Sequence, residues 1–246
     1  MTWDTTLATA TRVLRQLRRD QRTLVLLIGV PSLLLVILVR YSFDARPEVF
    51  QRVGLPLIGV FPLVSMFLVA SIAMLRERRS GTLERLMALP TTKLGLLLGY
   101  AIAFAAVASV QVAVTLAVGL GVLGLDVIGP LWLAVVVALA NAMLGMAMGL
   151  SISAFAHTEF QAIQFMPAFV LPQLLLCGLL VERSDMARPL ELVSRVLPLT
   201  YAYDALQGVA EQPGLKSGEL RDLGISMALT VAVLLAGAAT LRRRTA

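Results

Sequence analysis

Six long apolar stretches, uninterrupted by Lys, Arg, Asp or Glu, organise the chain. They run Thr23–Val39, Val53–Leu75, Leu94–Leu125, Val127–Thr158, Phe160–Val181 and Leu223–Leu241. A helix that crosses the hydrocarbon core needs about 20 mostly apolar residues, each rising about 1.5 Å. Each stretch suits one helix and is too short for two helices and a turn. The pattern therefore predicts an all-α membrane protein with six transmembrane helices, near residues 23–43, 53–75, 94–124, 130–156, 161–181 and 222–241. Pro31, Pro56, Pro62, Pro167 and Pro172 fall in or at the ends of these stretches, where each removes a backbone hydrogen bond and favours a kink. Gly145, Gly149 and Ser153 recur every fourth residue. They make a small-residue ridge for close helix packing, with Asn141 placed to hydrogen-bond to a neighbouring helix.

The segments between the stretches carry their own patterns. In residues 1–22, Trp3, Leu7, Ala10, Leu14 and Leu17 share one helical face, while Arg12, Arg15, Arg18, Arg19 and Arg22 fill much of the rest. This predicts an interfacial helix with its apolar side in lipid and its arginines near phosphate. In the second connection, Ser80-Gly81-Thr82 are candidate caps and Pro90 is a stop. About two turns of helix lie between them, with Leu83, Leu86 and Met87 on one face. An apolar ridge with charged flanks suits a groove on another protein, and an ordinary basic loop is the plain alternative. Residues 186–210 are too apolar for a simple exposed loop. They predict short re-entrant helices, with the tyrosines at headgroup level.

Composition moves the reading from helical to membrane-embedded. The chain of 246 residues is 58% hydrophobic and 15% charged, against about 25% charged residues in soluble domains. The net charge of +6 becomes a topology signal once it is divided between the two sides. The side holding the termini and the second connection collects 13 Lys and Arg against 5 acids, and the other side 8 against 10. The positive-inside rule then puts both termini in the cytoplasm, and nucleic-acid binding loses its support. Membrane lipids become obligatory partners. One cysteine and one histidine exclude a disulfide framework and a Cys/His zinc cluster within the chain.

No phosphate loop ending in Gly-Lys-Ser/Thr is present, because Lys93 follows Thr92 and Lys216 follows Leu215. Ser153 and His157 stand one helical turn apart and admit a second class of function, an intramembrane serine hydrolase. No orienting acid or oxyanion donor accompanies them. A third class, an ion-coupled carrier, usually needs ionisable groups at mid-depth, and the six stretches have none.

Glu77, followed by Ser-Gly-Thr-Leu-Glu-Arg-Leu-Met-Ala-Leu-Pro at 80–90, resembles the signature after the second span of ABC type-2 exporter permeases. The closest flavour is the daunorubicin-resistance type. Leu-Pro-Leu-Thr-Tyr-Ala-Tyr-Asp-Ala-Leu at 197–206 is similar to that family's outer re-entrant segment, with Pro198, Tyr201 and Tyr203 as its marks. The resemblance covers nearly the whole chain. It implies a multi-pass protein of a bacterial inner membrane, paired with a second permease copy and docked on a separate cytoplasmic nucleotide-binding ATPase. ATP and Mg would sit on that subunit, with no cofactor on this chain. Residues 80–90 would be the coupling helix, with Glu77, Gly81, Thr82, Leu83, Glu84, Leu86, Met87 and Pro90 as coupling residues. Spans 2 and 5 would face the dimer axis, making Phe61, Met66, Phe67, Phe165, Met166 and Phe169 candidate substrate-path residues. With only 6% aromatic residues, a hydrophobic drug or lipid-like substrate is expected over a polysaccharide or glycolipid.

Overall fold

The computed structural model describes residues 3–39, 47–88, 92–214 and 217–240. The described residues form ten α-helices and no strand. These are α1 (Trp3–Arg19), α2 (Gln21–Ile37), α3 (Pro47–Arg79), α4 (Thr82–Ala88), α5 (Lys93–Gly121), α6 (Leu131–Ile152), α7 (Glu159–Leu176), α8 (Arg188–Ser194), α9 (Pro198–Glu211) and α10 (Ser217–Thr240). Four are long and apolar enough to cross a membrane: α3, α5, α6 and α10. The pair α1 and α2, bent by 82°, is long and apolar enough only when taken together, as a broken span or a re-entrant loop. Among the described residues α7 does not reach that standard, and Gln161, Gln164, Gln173 and two prolines dilute its apolar run.

Helix ends follow local chemistry. The Asp20 side chain accepts from the Thr23 N–H and caps α2, Thr92 does the same for α5 through Gly95, and Thr158 for α7 through Gln161. Pro31 lies inside α2, Pro56 and Pro62 inside α3, and Pro167 and Pro172 inside α7.

The bundle is built around α3 and α6. Gly145 and Gly149 of α6 lie directly against the carbonyl oxygens of Leu63 and Phe67. A methyl group at either glycine would collide with α3 backbone, so the small-residue ridge is what lets α6 cross α3 this closely. Asn141 donates from Nδ2 to the Gly59 carbonyl at 3.2 Å, across the same contact. Ser151 Oγ bridges α6 to α10 through the Val233 carbonyl at 3.1 Å. One core cluster joins α1, α3, α4 and α5 at the arginine-rich end. Another joins α3, α5, α6 and α9 at the far end.

The N-terminal helix departs from the sequence expectation. Thr6, Thr9, Ala10, Val13 and Leu17 are buried, and α5 is the main helix that α1 packs on. Gly99 of α5 admits this approach, since a Cβ there would stand 2.6 Å from Thr9 Cβ. The apolar stripe is therefore split: Ala10 and Leu17 face protein, Leu14 is half-buried, and Trp3 and Leu7 remain exposed beside the arginines. The polar threonines had disguised the protein-facing side.

Candidate functional site

At the arginine-rich end, α3 runs to Arg79, turns at Ser80-Gly81 and restarts as α4. Gly81 has φ +71°, a conformation favourable to glycine and costly for a residue with a Cβ. Ser80 and Thr82 hydroxyls share a hydrogen bond of 2.8 Å across the turn. On α4, Leu83 is buried in the core beside Met74, Leu96 and Leu97, and Leu86 packs partly against it. Glu84 and Arg85 are exposed. The expected outward apolar ridge is thus corrected: Leu83 anchors α4 to its own subunit, and the charged residues form its free face. Pro90 and the Met87 side chain lie outside the described residues.

One turn before the bend, Glu77 is buried at 6% exposure. Its Oε1 accepts from Arg12 Nη1 of α1 at 2.6 Å. Arg12 Nη2 also donates to the Tyr100 hydroxyl of α5 at 3.2 Å. Three helices meet at this one cluster. Among the described residues, Glu77 Oε2 and Arg12 Nε are buried without hydrogen-bond partners, as are Nε and Nη2 of the neighbouring Arg78. Beside them opens a cavity of 280 Å³ that reaches Asp20, Arg76, Ser80 and Thr82. Hydrogen bonds from Thr23 hold the Asp20 carboxyl below its ordinary value. Arg76 grips Glu159 at the start of α7 through Nε at 2.8 Å and Nη2 at 3.1 Å.

The far end carries a second polar assembly. Arg52 of α3 donates from Nη2 to Glu182 Oε1 at 2.5 Å. Arg183 Nη2 reaches both Asp204 oxygens, at 2.8 and 2.7 Å. Burial raises the Asp204 carboxyl to about 6 despite that guanidinium. These groups border a cleft of 590 Å³. Pro198 starts α9, and the Tyr201 hydroxyl donates to the Arg195 carbonyl. Tyr203 is buried at 4% exposure, which corrects its expected headgroup position: α9 packs against α3, α6 and α10 and turns this ring inward.

The candidate path residues do not form one surface. Met66 and Phe67 are fully enclosed within the subunit, because α6 crosses α3 there. Phe61, Phe165 and Met166 are half-buried, and Phe169 is exposed. The Ser153 hydroxyl is buried and donates to the Leu150 carbonyl at 2.6 Å, while His157 is exposed and meets Gln161 through its backbone N–H. No hydrogen bond joins these two residues. Sequence reasoning found Glu77 and missed Arg12, Tyr100 and Arg183. The sequence pattern groups Arg12 with the arginines near lipid phosphate, although it stands two residues from the buried Ala10.

The sequence profile of the family described as ABC-2 type transporter matches residues 5–210. The chain is 27% identical over 164 residues to the "Probable multidrug ABC transporter permease YbhR" of Escherichia coli, strains K12 and O157:H7, covering 67% of this chain and 44% of the relative. It is 25% identical over 141 residues to "ABC transporter G family member 20" of Dictyostelium discoideum, covering 57% of this chain and 19% of the relative. The chain thus spans less than half the length of the curated relatives it matches.

Proposed function

The chain belongs to the ABC-2 type transporter family, as a permease and not as the ATPase, and from that premise we propose that it is the membrane half of an ATP-driven exporter. Six spans cross a bacterial inner membrane, the four helices long and apolar enough to do so, the bent α1–α2 pair and α7, with both termini in the cytoplasm. ATP and Mg act on a separate nucleotide-binding subunit, and a second permease copy completes the path. The cargo is a hydrophobic drug or lipid-like compound moved outward, in keeping with the multidrug name of the Escherichia coli relative. Phe61, Phe165, Met166 and Phe169 remain the path candidates, on α3 and α7.

The observation that carries this reading is the corner formed by α3, Ser80-Gly81 and α4. A short helix is anchored inward by Leu83, offers Glu84 and Arg85 outward, and adjoins buried polar atoms of Glu77, Arg12 and Arg78 that have no hydrogen-bond partner among the described residues. Unpaired buried groups cost about 1–3 kcal/mol each. A docking protein that supplies counter-groups would recover part of that cost. The test is co-purification of the chain with a cytoplasmic ATPase subunit. Arg85→Glu and Glu84→Lys are expected to weaken that complex by tenfold or more, about 1.4 kcal/mol, without altering thermal stability. An unchanged complex would remove α4 as the docking element.

A further inference from the structure

The outer side of α1 carries positive charge that the fold leaves unmatched. Helical turns divide α1 into three faces. Thr6, Thr9, Ala10, Val13 and Leu17 meet protein. On the adjoining face Trp3 and Leu7 are exposed, by 69% and 52%. Arg15 and Arg19 stand exposed on the third, where with Thr11, Arg12 and Gln16 they border a groove of 530 Å³. Arg12 is committed inward, to Glu77 and Tyr100. Arg15, Arg18 and Arg19 have no acid partner among the described residues. The acids nearest in sequence do not balance them. Asp4 lies in the first turn of α1, and Asp20 caps α2 and opens onto the cavity beside Glu77.

The surroundings of this groove have the shape of a bilayer surface. The axis of α2 turns from that of α1 by 82°, and Val25 and Leu26 are exposed just past the bend. A helix at headgroup level beside one that enters hydrocarbon has this geometry. An acidic protein surface would match the arginines alone and would leave Trp3, Leu7, Val25 and Leu26 in water. A phospholipid matches both sets, with phosphate against guanidinium and acyl chains against the apolar side chains.

We propose that the α1 groove holds the headgroup of an anionic phospholipid of the bilayer, with Arg15 and Arg19 as its phosphate ligands and the acyl chains along Val25 and Leu26. Arg12 ties this helix to Glu77, one turn before the bend into α4. The bound lipid therefore fixes the height of α4 at the membrane surface. The proposal takes its membrane placement from the exporter reading and adds the bilayer component that anchors the docking element.

The test uses the full chain in phosphatidylcholine vesicles and the quenching of tryptophan fluorescence by dibrominated lipids. The chain has two tryptophans. Trp132→Phe leaves Trp3 as reporter on α1, and Trp3→Phe leaves Trp132 at the far end. At Trp3, dibrominated phosphatidylglycerol should outcompete phosphatidylcholine by about fivefold, the effect of one arginine near an anionic headgroup. At Trp132 the two lipids should compete equally. Arg15→Gln with Arg19→Gln should remove the preference at Trp3, and Arg15→Lys with Arg19→Lys should retain most of it. Arg195→Gln on α8 should leave it unchanged. An excess of inorganic phosphate should leave the lipid in place, and displacement would assign the groove to a free anion and overturn the proposal. Equal competition at Trp3, or a preference that survives the double glutamine variant, also overturns it. So does a double variant that loses only its association with the ATPase, which would make this face a protein surface. The vesicles contain no ATPase, so failure of lipid binding leaves the exporter reading standing.

Discussion

Two ion pairs, one at each end of the bundle, handle charge in opposite ways. At the arginine-rich end, Arg12 and Glu77 meet inside the protein, with side chains 28% and 7% exposed. At the far end, Arg52 and Glu182 meet at the surface, 45% and 55% exposed. The first pair joins α1 to α3, with Tyr100 adding α5. The second joins α3 to the segment after α7. A buried pair fixes geometry because breaking it strands a charge away from water. An exposed pair exchanges its partner for water at little cost. The difference teaches that the Arg12–Glu77 pair keeps three helices in register, whereas the Arg52–Glu182 pair leaves the segment after α7 free to rearrange.

Substitutions can break this contrast in graded steps. Arg12→Ala leaves Glu77 buried with its counter-charge gone, and should destabilise the chain by about 3 kcal/mol, read as a lower midpoint in thermal unfolding. Tyr100→Phe removes one hydrogen bond to Arg12 and should cost about 1 kcal/mol in the same measurement. Arg52→Ala at the far end should cost less than about 1 kcal/mol. If Arg52→Ala proved as damaging as Arg12→Ala, the contrast between the two ends would be wrong.

A pH titration sharpens the far end further. Burial raises Asp204 to about 6, above its ordinary value of 3.8. The folded chain therefore holds a proton on Asp204 that the unfolded chain has released. Stability contributed at this site is present at low pH and is lost as pH rises through about 6. Asp204→Asn should flatten this dependence, whereas Glu191→Gln should leave it as it is.

Much of the architecture was legible in hydrophobic patterning. The apolar stretches became helices, and Gly145, Gly149 and Asn141 took up the packing roles that their spacing implied. The misreadings share a physical cause. A period in sequence shows which residues share a face, and says nothing about what covers that face. Leu83 was legible as part of a ridge, yet the cover is the chain's own core. Trp3 and Leu7 stayed exposed because Thr6 and Thr9 occupy the side that meets α5. Arg12 looked like its neighbours because its partners, Glu77 and Tyr100, are 65 and 88 residues away. Tyr203 was misplaced for the same reason, since α3, α6 and α10 enclose α9.

The central claim is that α4 meets an ATPase on the cytoplasmic side. Cys177 is the chain's one cysteine and is buried, so Cys177→Ser with Glu84→Cys leaves a single reporter on the exposed face of α4. In sealed, right-side-out membrane vesicles, an impermeant maleimide should leave that thiol unlabelled until the membrane is opened, and a thiol cross-linker should join it to the ATPase subunit. Labelling of intact vesicles, or a thiol that never cross-links to the ATPase in a functioning transporter, would contradict the account.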